Sequence, residues 1–298
     1  MLTFRAMNTD VNVASSEDEV EVAEHVLGIF EAAEQRFSRF REDSELSRLN
    51  RARGPFRASP ELFQLLSRAR SYVEQTDGLF DPAVGSAMLA LGYDRSFAPG
   101  ALDRDATCER REGGSFLDVA LDAEQQIVTR PPHIYLDLGG MVKGSTVDRA
   151  AAFLGPSGAI DAGGDAYLRG HPTGEEPWLV EVEDPRDPSK TLLTVAVANA
   201  AVATSAGNRR RWRAGAEWVH HLIDPRTQRC AAEELLQATV FAPSAELADV
   251  LAKVAFVLGP REAPAFLERQ AEVSAVLVPR SGRPLFVGNV NVREVGHA

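Results

Sequence analysis

Four short stretches of this sequence hold more glycine, aspartate, histidine and lysine than a core requires, and the chemistry they suit is the handling of phosphate. The first is Asp137-Leu138-Gly139-Gly140-Met141-Val142-Lys143-Gly144, at the expected end of a strand and start of a helix. Glycines there let a ligand approach the backbone, the first helical turn offers free N–H groups to an anion, and Lys143 adds a positive charge. It is not a P-loop, which needs a lysine followed directly by Ser or Thr. A tight strand-to-helix turn without a ligand would use the same residues. The second, Asp161-Ala162-Gly163-Gly164-Asp165, reads either as a loop against an adenine or ribose or as a hairpin turn. The third, His220-His221-Leu222-Ile223-Asp224-Pro225-Arg226-Thr227, sets adjacent histidines on opposite faces of a strand, so they do not readily share one metal. One of them can face a site as base or hydrogen-bond partner while the other lies at the surface, and a lone strand histidine is more often structural than catalytic. The fourth is Asp249 with Lys253 at i+4, on one helix face in the order that favours an ion pair.

The elements that must position these residues are legible from periodicity. A helix is expected from Ser16 to Phe37, with Ser16 and Glu19 as a capping box and Val20, Ala23, Val26, Leu27 and Phe30 on one face. Ser59 as N-cap and Pro60 announce a second, with Leu62, Leu65, Leu66, Ala69 and Val73 inward. Strands are expected at Phe116 to Leu121, Gln126 to Thr129 and Ile134 to Leu138, and a helix from Gly140 to Phe153. Further strands follow at Gly158 to Gly164, Trp178 to Val182, Leu192 to Val197, Trp218 to Ile223, Ala238 to Phe241 and Ser274 to Val278. A helix from Glu246 to Leu258 is closed by Gly259-Pro260. Without a regular βαβ rhythm the fold class is α+β, with mixed or antiparallel sheets and packed helices. No repeat or long linker divides residues 1–298, which form a single domain or two intimate lobes.

Of the 298 residues 44% are hydrophobic and 25% charged, the composition of a soluble globular protein. A net charge of -11 with scattered basic residues argues against a nucleic-acid partner. The dense run Arg209-Arg210-Arg211-Trp212-Arg213 reads as a solvated turn between strands or as a contact for an anionic ligand or partner. Cys108 and Cys230 have no CxxC spacing, which suggests neither zinc nor a disulfide framework and suits a reducing compartment. The start MLTFRAMNTD has no apolar signal region and no later stretch is long enough to span a bilayer, so a cytoplasmic protein without membrane insertion is expected.

The ordered set FSRFREDSELSRLN (37–50), TDGLFDPAVG (76–85), LDLGGMVKGSTVD (136–148), GAIDAGGDAYLRG (158–170), AVATS (201–205), HHLIDPRT (220–227) and APSAELADVLAK (242–253) resembles the ApbE family of FAD:protein FMN transferases. The resemblance implies an ApbE-like, T-fold-like α+β architecture and FAD as ligand. It also implies a divalent metal such as Mg²⁺ on the pyrophosphate, and an acceptor flavoprotein whose target threonine receives FMN as AMP leaves. Hydrolysis of FAD to FMN and AMP, or FAD carriage without catalysis, are the rival activities. Carried over by position, Met7, Phe40, Gly92, Tyr93, Asp137, Lys143, Gly164, Asp165, Thr204, Ser205, His221 and Ile223 would meet the nucleotide. His221 would be the base and Lys143 a catalytic cation, while the Gly140 carbonyl and Asp249 would ligate the metal. Three positions depart from the family pattern: Lys253 replaces a threonine metal ligand, Gln228 a glycine after DPRT, and Phe40 a tyrosine. Lys253 either points inward, weakening metal binding, or snorkels outward and leaves the metal site intact.

Overall fold

The computed structural model describes residues 1–96, 103–104, 113–172, 176–214 and 217–293. Cys108 lies outside them, and Cys230, which forms no disulfide among the described residues, donates its thiol to the His220 carbonyl at 3.3 Å. The chain divides into two compact units, one of residues 1–31, 143–208 and 233–298, the other of residues 32–142 and 209–232. Helices and antiparallel sheets are interspersed, so the α+β class holds.

The first unit is built on an eight-stranded sheet whose spatial order follows the chain: Leu2–Ala6, Thr9–Ser15, Gly158–Ala162, Ala166–Arg169, Ala200–Ala206, Leu235–Ala242, Ser274–Pro279 and Leu285–Val287. Every neighbouring pair is antiparallel. On one face lies the helix Ala245–Leu267. Small buried residues, Ala201 and Ala203 on one strand and Ala238 on its partner, alternate with larger ones and leave room for it. The opposite face, with Leu168, Val202, Phe241, Val276 and Val278, packs on Val182, Leu193, Val195 and Val197 of a three-stranded sheet. Two helices are locked together at a backbone contact. A Cβ on Gly144 would fall 2.3 Å from the Ala245 carbonyl oxygen, and both Asp148 carboxylate oxygens accept from the first turn of the long helix, Ala245 N at 2.7 Å and Glu246 N at 2.9 Å.

In the second unit the helix Pro60–Gln75 is capped by Ser59 and buries the expected face. Buried Asp81 accepts from Ala83 N, Phe116 N and Ser115 Oγ, and pins the residue 115–118 turn. Burial holds its carboxyl above the ordinary range.

Several expected boundaries are corrected. Ser16 does not cap the first helix, Glu19–Phe37: Asp18 Oδ1 accepts from Val20 N and Glu21 N, while Ser16 pairs with Ser157. Phe116–Asp118 is a 3-10 turn held by a Ser115–Asp118 capping box, and the strand is only Ala120–Asp122. Ile134 to Leu138 joins no sheet beyond one bridge at Tyr135, because the Asn50 side chain takes both backbone bonds of Leu136 and the Pro82 carbonyl takes Asp137 N–H. The helix expected from Gly140 runs Val142–Ala151. Trp218 to Ile223 splits into Glu217–His220 and Ile223–Asp224 where the His220 ring accepts from Leu222 N. Arg211–Ala214 is a strand with Trp212 buried, so the arginine run is not simply a turn. At Gly259 (φ 73°) the long helix breaks as expected, then resumes because Pro260 suits a first helical turn.

Gly144→Ala should overpack the helix crossing and destabilise the protein by about 1–3 kcal/mol. Urea unfolding measures it; an unchanged midpoint would mean that the helices have room to part at no cost.

Candidate functional site

In the first unit, lysines and aspartates come together. Lys143 opens the helix Val142–Ala151, and its Nζ lies 2.5 Å from Asp165 Oδ2 and donates to the Ala162 carbonyl at 3.0 Å. Asp165 follows the hairpin turn that joins two strands of the large sheet. There Gly163 and Gly164 have φ of +65° and +95°, and Ala162 N donates to the Asp165 carbonyl. A Cβ at Gly163 would sit 2.0 Å from Thr9 Oγ1, so this turn requires glycine for both conformation and space. The Gly-Gly-Asp stretch is therefore a hairpin turn, yet its aspartate is buried and charge-paired.

Register places other expected residues at the same sheet end. Val11 pairs with Ala162 and Val202 with Ala166, which brings the Met7-Asn8 turn and Thr204 level with Gly163-Gly164. The Thr204 hydroxyl is 3.0 Å from that of Thr239, and Ser205 is buried on the opposite strand face.

On the long helix Asp249 is 3% exposed, and the Lys253 ammonium sits on its Oδ1 and 3.4 Å from its carbonyl. Asp249 Oδ2 has no hydrogen-bond partner among the described residues. Burial first, then the charge of Asp165, push the Asp249 carboxyl up to about 6, while Lys253 and Lys143 pull it down. Two carboxylates and two ammonium groups thus act on one another. Lys253 is folded back onto Asp249 of its own helix and is partly exposed. No cluster of three or more His, Cys, Asp or Glu able to hold a metal occurs among the described residues. With one Asp249 oxygen taken by an ammonium, which cannot coordinate a cation, this donor set does not fit Mg²⁺.

The second unit gathers aromatic rings around a buried guanidinium that sequence reasoning missed. Arg39 Nε donates to Asp137 Oδ2 at 2.7 Å and Nη1 to the Tyr93 carbonyl at 2.6 Å; its carbon lies 4.1 Å from the Phe40 ring centre and 4.7 Å from that of Tyr93. Nη2 has no hydrogen-bond partner among the described residues. Phe40 keeps the edge-on contact with Tyr93 at 5.4 Å, and Tyr93 stacks on Trp212 at 5.0 Å. Burial raises the Tyr93 phenol above its ordinary value. Gly92 (φ 82°) ends the helix Gly85–Ala90, Trp212 Nε1 holds the Leu91 carbonyl at 2.7 Å, and Ile223 packs in the same cluster. The usable signal was Asp137: a partly buried carboxylate favours a cation beside it, and Arg39 adjoins the aromatic residue already singled out. Gly139 N donates to Asp137 Oδ1 at 2.7 Å, and Gly140 follows in the turn before the helix.

The expectation of one surface histidine on a shared strand is corrected, because the strand ends at His220 and neither ring is exposed. His220 is buried, its Nδ1 accepting from Leu222 N and its Nε2 3.2 Å from the Ala231 carbonyl, a neutral structural ring. His221 is half-buried just beyond the strand. Gln228, where the family pattern has glycine, keeps a left-handed φ of 56°, so the turn survives the substitution.

The sequence profile described as the ApbE family matches residues 7–277. The chain belongs to the ApbE family. Among curated relatives, the FAD:protein FMN transferase of Treponema pallidum is 30% identical over 275 residues, 86% of this chain and 76% of that one. The crystal structure of the ApbE protein of Thermotoga maritima superimposes with a TM-score of 0.85 at 25% identity over 96% of both chains. Flavin transferase ApbE of Vibrio cholerae shares the fold, with a TM-score of 0.78 and 22% identity over 96% of both. The α+β expectation and the ApbE-like architecture are thereby met.

Arg39→Lys keeps a cation for Asp137 but loses the planar fork, and should cost about 2 kcal/mol. Thermal unfolding against the native protein checks this, and equal melting would assign Arg39 to a solvated surface.

Proposed function

We propose that the protein is an enzyme that transfers FMN from FAD to a threonine hydroxyl of an acceptor flavoprotein. The threonine oxygen attacks the FMN phosphorus, the bond from that phosphorus to the bridging oxygen breaks, and AMP leaves with that oxygen. The hydroxyl proton passes to His221. Catalysis of this kind rests on alignment and on stabilising negative charge. Lys143, fixed by Asp165 and the Ala162 carbonyl, is the cation for the phosphates. The part-exposed Phe40 ring is the aromatic surface for a flavin or adenine, with Tyr93 packed edge-on against it, and the spare Arg39 N–H is a donor to the nucleotide.

The observation that carries the reading is the family match across residues 7–277, with the Lys143–Asp165 pair standing at two of its motifs. Mg²⁺ is what the family resemblance implies, but the donor set around Asp249 does not fit it, and no step here runs through it. No helix among the described residues is long and apolar enough to cross a membrane. With two cysteines outside any framework spacing, the compartment we propose is the cytoplasm.

The test is intact-mass analysis after incubation with FAD and a threonine-bearing acceptor domain. The acceptor should gain one FMN, and His221→Ala should slow the gain by ~100-fold with FAD affinity preserved. AMP release without acceptor labelling would establish an FAD pyrophosphatase instead. FAD bound with neither product would establish a carrier.

A further inference from the structure

The residues around Asp249 do not suit a divalent cation, and the reason lies in Lys253. Its ammonium is 22% exposed at the side chain, seated on a carboxylate that is 4% exposed. It has three protons; one goes to Asp249 Oδ1, another faces the Asp249 carbonyl at 3.4 Å, and one is left. Lys143, 18% exposed at its side chain, is held in a similar manner: it is ion-paired with Asp165 at 2.5 Å and donates one proton to the Ala162 carbonyl. Asp249 therefore anchors an ammonium as a metal-ligating carboxylate anchors a metal. The spare protons of two fixed ammonium groups match the acceptor oxygens of a diphosphate. As the bond to the bridging oxygen breaks, negative charge gathers on the departing AMP, and a charge-assisted hydrogen bond to it strengthens.

We propose that Lys253 is a catalytic residue standing in the cation position itself, so that this chain binds FAD and transfers FMN without a divalent metal. The inference rests on the flavin reading above. A single ammonium supplies one positive charge where Mg²⁺ would supply two, but it is covalently resident and is lost neither to dilution nor to a chelator.

Two titrations of the full-length protein, freed of metal with EDTA, test the proposal. One follows FAD by flavin fluorescence with and without millimolar Mg²⁺; the other follows Mn²⁺ by electron paramagnetic resonance. Both are run on the native protein, Lys253→Thr and Lys253→Met, with melting curves to establish folding. Native affinity for FAD should change by less than about threefold when Mg²⁺ is added, whereas Lys253→Met should bind about tenfold or more weakly. Lys253→Thr should bind FAD weakly in EDTA, recover with Mg²⁺, and take up Mn²⁺ more tightly than the native chain. If neither neutral variant folds, Lys253→Arg, which keeps the charge, should retain chelator-insensitive FAD binding. Native Mn²⁺ affinity equal to that of Lys253→Thr, or native FAD binding that collapses in EDTA, overturns the proposal. FAD that binds the native protein under neither condition overturns the flavin reading, and the Mn²⁺ titration still decides who holds the cation position.

Discussion

A carboxylate 3% exposed on a helix cannot stay charged without a positive neighbour, and the means by which Asp249 meets that requirement organises the first unit. Lys253 comes from its own helix, one turn on. Asp165 and Lys143 come from elsewhere, the first from a hairpin turn of the central sheet and the second from the start of another helix. Bringing three elements together demands close backbone approach. Gly144 provides it by letting its helix rest against the Ala245 carbonyl, and Asp148 ties the same two helices through the N–H groups of the long helix. The charged quartet and the helix crossing are one construction, because Lys143 and Gly144 are adjacent.

Such a construction is costly as a source of stability. The Asp249 carboxyl is driven up to about 6 even with two lysines acting on it, so the cations do not fully offset burial and the Asp165 charge. An apolar replacement of similar volume would commonly serve stability as well or better. What the arrangement supplies is fixed positive charge with protons still to give, which water cannot offer to a phosphate without reorganising. The second unit applies the same economy to Arg39, whose guanidinium is held by Asp137 and the Tyr93 carbonyl with one nitrogen left over.

Legibility in the sequence followed the range of the interactions. The Asp249–Lys253 pair is local, set by helical periodicity, and was readable from spacing alone. The Ser59 cap and the face of its helix were readable for the same reason. Asp165 was readable as a turn or nucleotide-loop residue but not as the partner of Lys143, because that meeting depends on how a hairpin packs against a helix. Ile134 to Leu138 has the composition of a strand and is buried like one. Its neighbour is the Asn50 side chain, a pairing of residues 86 apart that no local pattern announces. The break at Gly259 was legible, but not the helix beyond it, since glycine followed by proline is both a stop signal and a fair start signal. Arg39 was hidden by an ordinary surface composition around it.

Asp249 and Lys253 form one coupled unit within a buried network and are not a solvated helical pair. A double-mutant cycle of Asp249→Asn and Lys253→Met, read by urea unfolding at neutral pH, measures the coupling directly. The account predicts an interaction free energy of roughly 1–3 kcal/mol, with the double variant more stable than the sum of the single losses implies. Losses that simply add, with coupling no greater than the ~0.3–0.5 kcal/mol of an exposed i,i+4 pair, would contradict it.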